Sequence, residues 1–218
     1  MEYRLKSQVV WDTQTGKPLY NAVVWPDTRT KKLVHELRTH DGVDKLHQLS
    51  GLPLSTYPSS VKLLWLLRHV HGVRKASEEG RLAFGTVDSW LLYNLTGGVG
   101  KGVHVTDPSN ASRTMFMNIH TLEYDDFLIN WFGVGKVKFP KIVPSSDPEA
   151  YGSISNGPLA GVRISGCLGF YSYGPYAFAM VEANMKQFRR PKRRFGGAMC
   201  IQTGNGKKHL WNRMLPSL

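Results

Sequence analysis

Trp25-Pro-Asp-Thr-Arg29 packs an indole, a carboxylate and a guanidinium into one short turn. Tyr57 adds a phenol just ahead of the strongest helical run in the chain. An indole can wall the carbon side of a small ligand, and a phenol hydroxyl can bond one of its oxygens. Asp27 and Arg29 can hold the indole in place. The same residues also fit plain packing: a hairpin tryptophan, a half-buried tyrosine and a surface ion pair. Lys62 reads as an anchoring or phosphate-facing lysine or, more simply, as a solvated one at a helix start, where a cation opposes the helix dipole.

Other chemistry is harder to find. Gly97-Gly-Val-Gly-Lys-Gly102 resembles a phosphate loop only on the surface. The G-x-x-x-x-G-K-[ST] spacing is not met, and Val103 stands where a hydroxyl is wanted. It reads as an exposed linker. The histidines form no H-E-x-x-H pattern and no cluster with cysteine, so no metal ligand is assigned. Cys167 and Cys200 are expected to be reduced thiols. His104 and Asp107 are close in sequence, but no serine or cysteine elbow joins them into a triad. Asp107, Ser109, Asn110, Ser112 and Arg113 form a dense polar loop, read as an Asx-rich turn held by internal hydrogen bonds. No residue is assigned a catalytic role.

These residues need elements to position them. Gln8–Trp11 and Asn21–Trp25 read as strands of a hairpin around the turn Asp12–Lys17. Leu33, Val34 and Leu37 mark a helix over Thr28–Arg38, capped by Asp27 or Thr28. Val43, Leu46 and Leu49 mark a short helix that Gly51 stops. Pro58–Val70 is the clearest helix, with Ser59 as cap and Val61, Leu64, Trp65 and Leu67 facing the core. Leu82–Thr86 is a strand, and Asp88 caps the helix that carries Trp90 to Leu95. Asp125–Phe132 is a helix. Tyr151–Ile154 and Val162–Ile164 are short strands. The alternation of strands and helices indicates an α/β domain.

The chain has 218 residues and a net charge of +12, with 41% hydrophobic residues, enough for a sizeable core. No apolar run approaches the ~20 residues that span a bilayer, and the start MEYRLKSQ has no secretory character. Membrane association is not expected, and a cytoplasmic setting is. Between Phe170 and Leu218 lie nine basic residues and one acid, a net +8, against +4 for the rest. The charge therefore sits in an appendage. We divide the chain at 1–169 and 170–218. The second segment shows neither clean alternation nor a helical stripe, and is expected to be a disordered basic tail. Arg189–Arg194 could touch nucleic-acid phosphates weakly, but no recognition motif accompanies it, and nucleic acid is not the expected partner.

Tyr57-Pro-Ser-Ser-Val-Lys-Leu-Leu-Trp-Leu-Leu-Arg-His69 resembles the signature of the sugar-kinase family that contains glycerol kinase, the FGGY kinases. Tyr57, Ser59, Lys62, Leu63, Trp65, Leu66, Arg68 and His69 meet its fixed positions. Phe84–Leu92, His104–Thr114 and Gly161–Gly169 are also similar to the family's first domain, and the likeness to fungal and other eukaryotic forms is good. The resemblance implies an incomplete ribonuclease H-like domain of the actin-like ATPase superfamily. It implies ATP-dependent phosphoryl transfer to glycerol, with ATP and magnesium as cofactors, and Trp25 and Tyr57 as contacts to the polyol. No cofactor is assigned to this chain's own residues.

The sequence departs from the family at its edges. Tyr3, Arg4, Leu5 and Lys6 stand where the family has Asn-Gln-Arg-Glu, whose arginine clamps glycerol hydroxyls. Phe170 and Tyr171 stand where it has Asp-Gln, whose carboxylate accepts the proton of the attacking hydroxyl. The expectation is a partial or mis-spliced product, or a tail in a shifted frame, with weak or absent glycerol binding and no turnover. An alternative is a non-catalytic module that docks on a full-length sugar kinase.

Overall fold

The computed structural model describes residues 7–167 throughout and, beyond them, the backbone of 199–202 and 208–209. Its centre is a pair of strands, β1 (Gln8–Asp12) and β2 (Leu82–Thr86), antiparallel with Gln8 opposite Thr86 and Asp12 opposite Leu82. Every residue of both strands is buried. Side chains alternate across a strand. Val10, Leu82 and Phe84 thus enter one core, while Val9, Trp11 and Ala83 enter another on the opposite face.

The first core is the larger. Around it stand α1 (Lys31–Leu37), α2 (Val43–Ser50), α3 (Ser59–His69), α4 (His71–Glu78) and, later in the chain, α7 (Asp126–Trp131). Phe84, Phe116, Phe132 and Phe139 meet edge to face at its middle, with centroids 5.0–5.8 Å apart. That is the arrangement that ring quadrupoles favour. On the other face α5 (Val87–Leu95) brings Trp90 and Tyr93 against Trp11. The sheet is thus covered on both sides, as an α/β domain requires.

The expected hairpin forms, but its return arm is irregular. Asp12 N–H donates to Lys17 O at 3.0 Å and Leu19 N–H to Val10 O at 2.9 Å, and Gln8 and Val23 exchange two bonds of 3.2 Å. Trp11 faces Pro18 while Gln8 faces Val23, so the pairing slips between these points. Pro18 has no N–H to give to a ladder, which suits a discontinuous arm. Asn21–Trp25 is therefore not a regular strand.

Beyond β2, Lys138 bonds Phe84 N–H and Leu82 O at 3.0 and 2.8 Å. β3 (Val105–Thr106) pairs in parallel with β4 (Lys141–Ile142), and α6 (Pro108–Ala111) follows β3 at once. β5 (Arg163–Cys167) pairs with β6 (Met199–Gln202), and β6 with β7 (Lys208–His209). β6 and β7 are the only described residues of the 170–218 segment. Met-Cys-Ile-Gln is too short for its alternation to stand out, but it suits the open edge of β5. Phe170, Tyr171, Arg189–Arg194 and the altered residues Tyr3–Lys6 lie outside the described residues.

Several helix ends differ from expectation. α1 begins at Lys31 with Thr30 as its cap position and no side-chain bond there, whereas Asp27 Oδ1 accepts from Arg29 N–H in a local turn at 2.9 Å. Pro58, not Ser59, is the cap position of α3. Ser59 through Leu63 are all buried, with Leu66, while Leu64, Trp65 and Leu67 are half-buried. The first turn of α3 is enclosed on every side. Its Ser60 N–H donates to Thr114 O at 3.0 Å, and the Gln8 amide, suitably oriented, bonds Ser59 O and Leu63 N–H. Asp88 lies within the first turn of α5 rather than capping it. Gly51 ends α2 in the left-handed region, at φ 68°, as the sequence suggests, and Asp125, the first residue of the expected helix, caps α7 through the N–H groups of Phe127 and Leu128.

Candidate functional site

Trp25 and Tyr57 come together. Their ring centroids are 6.2 Å apart at 69°, edge to face, and both residues are half-buried. They arrive from different directions, Trp25 at the end of the irregular hairpin arm and Tyr57 from the loop before α3. Tyr57 also lies beside Arg113. Burial raises the Tyr57 phenol, and the charge and hydrogen bond of Arg113 oppose that rise. The hydroxyl is therefore a neutral donor at ordinary pH, held at one side by a cation.

Asp27 and Arg29 form a two-pronged pair, Nε to Oδ1 at 3.0 Å and Nη2 to Oδ2 at 2.7 Å. Arg29 Nη1 reaches the Tyr20 hydroxyl at 3.1 Å, and its guanidinium stacks 4.9 Å over Trp65. The hydrogen bond from Arg29 holds the Asp27 carboxyl below its usual range, and Asp27 raises Arg29 in return. This pair staples the Trp25 turn to α3 through Trp65. An exposed pair of this kind adds little stability on its own, typically under ~1 kcal/mol. Its geometry fixes where Trp25 points.

Of the readings open for Lys62, the anchoring one holds and the simpler, solvated one does not. Lys62 is 1% exposed. Its Nζ donates to Thr56 O at 2.6 Å, to Tyr57 O at 2.8 Å and to Trp25 O at 3.4 Å. Burial draws the ammonium down to about 8, and Asp27 opposes the fall. The carbonyls also favour the charged form. The available signal was a lysine in a first turn with no acid near it in sequence, which calls for acceptors of some other kind.

The polar loop 104–114 is a closed network. Asp107 is fully buried and caps α6. It accepts from Ser109 N–H and Oγ at 3.2 and 2.6 Å, from Asn110 N–H and Nδ2 at 3.0 and 2.7 Å, and from Ser145 Oγ at 2.6 Å. His104 Nε2–H donates to Phe84 O at 2.9 Å, and burial lowers its imidazole while that bond resists.

Asp88, Asp107 and Cys167 have potential ligand atoms within 4.8 Å of one another, all buried. They do not fit magnesium, which demands oxygen ligands and keeps water. A thiol is a poor partner for it, and the Asp107 oxygens are already taken. Asp88 accepts from Thr106 Oγ1 at 2.8 Å, and burial pushes its carboxyl up to about 6. A raised carboxyl means that the fold favours the proton-bearing form. The stability this contributes is present below pH ~4 and is lost as pH climbs to about 6, a change of roughly 3 kcal/mol. Urea titrations of wild type and Asp88→Asn between pH 4 and 7 check this. The wild type is expected to lose stability relative to the variant across that interval, and the difference to level off above it.

Residues 4–169 match the family model described as the N-terminal domain of the FGGY family of carbohydrate kinases. The chain is 48% identical over 181 residues to the glycerol kinase of Methylobacterium radiotolerans, covering 82% of this chain and 36% of that protein. It is 48% identical over 217 residues to the glycerol kinase of Leifsonia xyli, covering 98% of this chain and 41% of that protein. That alignment continues past residue 169. Among solved structures, the glycerol kinase of Plasmodium falciparum with ADP superposes with a TM-score of 0.68 at 31% identity, over 76% of this chain and 32% of that one. The chain thus spans well under half the length of these relatives.

Proposed function

We propose, from the premise that this chain belongs to the FGGY family of carbohydrate kinases and has its actin-like α/β fold, that Trp25 and Tyr57 form a polyol-binding surface. The polyol is glycerol, and the reaction that the surface serves is ATP-dependent phosphoryl transfer. The observation that carries this reading is the meeting of the two rings, edge to face at 6.2 Å, with Arg113 behind the phenol. An indole face covers C–H groups and leaves hydroxyls free at their edges. The Tyr57 hydroxyl can then donate a hydrogen bond to a polyol oxygen while Arg113 holds its other side.

ATP, with magnesium on its phosphates, supplies the transferred group in such a reaction. The contribution of this chain's residues is to bind and orient the acceptor. No residue here is given the role of general base. The cytoplasm, where ATP is abundant, is the setting that this reading implies. Among the described residues no helix is long and apolar enough to cross a membrane.

Titration of the folded chain with glycerol, followed at the Trp25 and Tyr57 resonances, tests the proposal. Saturable shifts in the millimolar range are expected at both. Trp25→Ala is expected to abolish them. Tyr57→Phe should weaken apparent affinity about 3- to 10-fold, which is what one neutral hydrogen bond contributes. Absence of any glycerol-dependent shift in wild type, or an undiminished response in Trp25→Ala, would sink the reading.

A further inference from the structure

The aromatic pair is assembled from segments that are not neighbours in sequence. Trp25 lies 37 residues before Lys62, and one buried ammonium touches the main chain of both partners. Its bonds to Thr56 O and Tyr57 O, at 2.6 and 2.8 Å, are short and charge-assisted, and the bond to Trp25 O at 3.4 Å is the longest. All of these acceptors are carbonyls, so the contacts hold backbone, not rotamers. The lysine itself is fixed because its Cα stands in the enclosed first turn of α3.

We propose that Lys62 is a positioning residue: its ammonium sets the separation of Trp25 and Tyr57, and through it the fit of a polyol between them. The proposal rests on reading that pair as the polyol surface. The physics is that of a single donor group shared among converging acceptors. An ammonium has three N–H donors on a tetrahedral nitrogen, so it can satisfy three carbonyls at once only if they surround it. Withdrawing it leaves like-oriented carbonyl dipoles facing one another in a space with little water. They must turn away or admit water, and the two loops must part. A neutral side chain of similar length fills the space without gathering the carbonyls. The Asp27–Arg29 staple tethers the Trp25 turn to Trp65. Lys62 bonds the main chain of both ring residues directly.

The test uses the full chain labelled with 5-fluorotryptophan, its 19F lines assigned by single Trp→Phe replacements. In wild type, Tyr57→Leu is expected to move the Trp25 line, because the rings are in contact range. Lys62→Met should move the Trp25 line and erase its dependence on Tyr57. The Trp11 and Trp90 lines, from the opposite face of the sheet, should stay in place and report that the fold is intact. Lys62→Gln, which keeps an amide donor, should retain part of the dependence. The glycerol response at Trp25 is expected to weaken about tenfold in Lys62→Met. An unchanged Trp25 line, still sensitive to Tyr57 in folded Lys62→Met, overturns the proposal. Failure of both variants to fold overturns it too, since Lys62 would then be a core residue without a specific hold on the pair. If wild type shows no glycerol response, the polyol reading falls, while the ring readout still decides what Lys62 does.

Discussion

Purified as a 218-residue polypeptide, the protein is expected to transfer no phosphate from ATP to glycerol above background. The polyol surface can be present and the reaction still fail, because binding and proton removal are separate tasks. A positioned base typically contributes about 10²–10⁴-fold, and Phe170 stands where the family resemblance calls for a carboxylate. A phenyl ring can neither accept the proton of the attacking hydroxyl nor carry charge. Leu5 and Lys6, where that resemblance calls for an arginine and a glutamate, remove the clamp on the hydroxyls. Coupled detection of ADP release, with protein from a host deleted for its own glycerol kinase, measures the rate. Glycerol-dependent turnover on the order of 1 per second, an ordinary enzyme rate, would overturn the expectation. Restoring the carboxylate alone in Phe170→Asp should not recover such a rate, because the clamp would still be missing.

The largest single loss of stability is expected from Asp107→Ala. The side chain is wholly buried and gathers two backbone N–H groups, two hydroxyls and one amide. Removing it strands those donors and abolishes the cap of α6. Breaking a buried charged network of this kind costs about 3–5 kcal/mol. Asp107→Asn should cost clearly less, because the carbonyl oxygen survives and the serine hydroxyls can rotate to accept. Urea unfolding of the two variants beside wild type gives the comparison. A loss below ~1 kcal/mol for the alanine variant would show that the loop finds other partners.

Local features were the most legible in the sequence. Gly51 needed only its position after a periodic run to be read as a stop, and Asp125 only its place before one to be read as a start. The signature around Lys62 and Trp65 and the segment around Trp25 led to the family and to the aromatic pair. What failed was whatever depended on distant chain. At α3, Val61, Leu64, Trp65 and Leu67 pack in or against the core as their spacing indicates, but periodicity cannot show that Gln8 and Thr114 close over the first turn and bury Ser59–Leu63 as well. Whether Lys62 anchors or is solvated stays open in the sequence, because its acceptors are main-chain carbonyls, which every sequence has and none advertises. Asp88 reads as a cap by position, yet Thr106 draws it inward. The partner of Met199–Gln202 is the edge of β5, which carries no mark in either segment.

The pairing of β1 with β2 has a consequence for how each copy of the protein is made. Gln8 must wait for Thr86, and Asp12 for Leu82. Ribosomes add roughly 5–20 residues per second, so the first strand leaves the tunnel seconds before its mate. Over that interval Val9, Val10 and Trp11 have, among the described residues, the irregular arm that follows at once as shelter, and helices α1 to α4 must organise around a sheet that does not yet exist. Contacts so distant along the chain slow folding. Nascent chains interrupted between Trp11 and Leu82 therefore carry an apolar strand still without its mate, the condition under which chaperones are recruited.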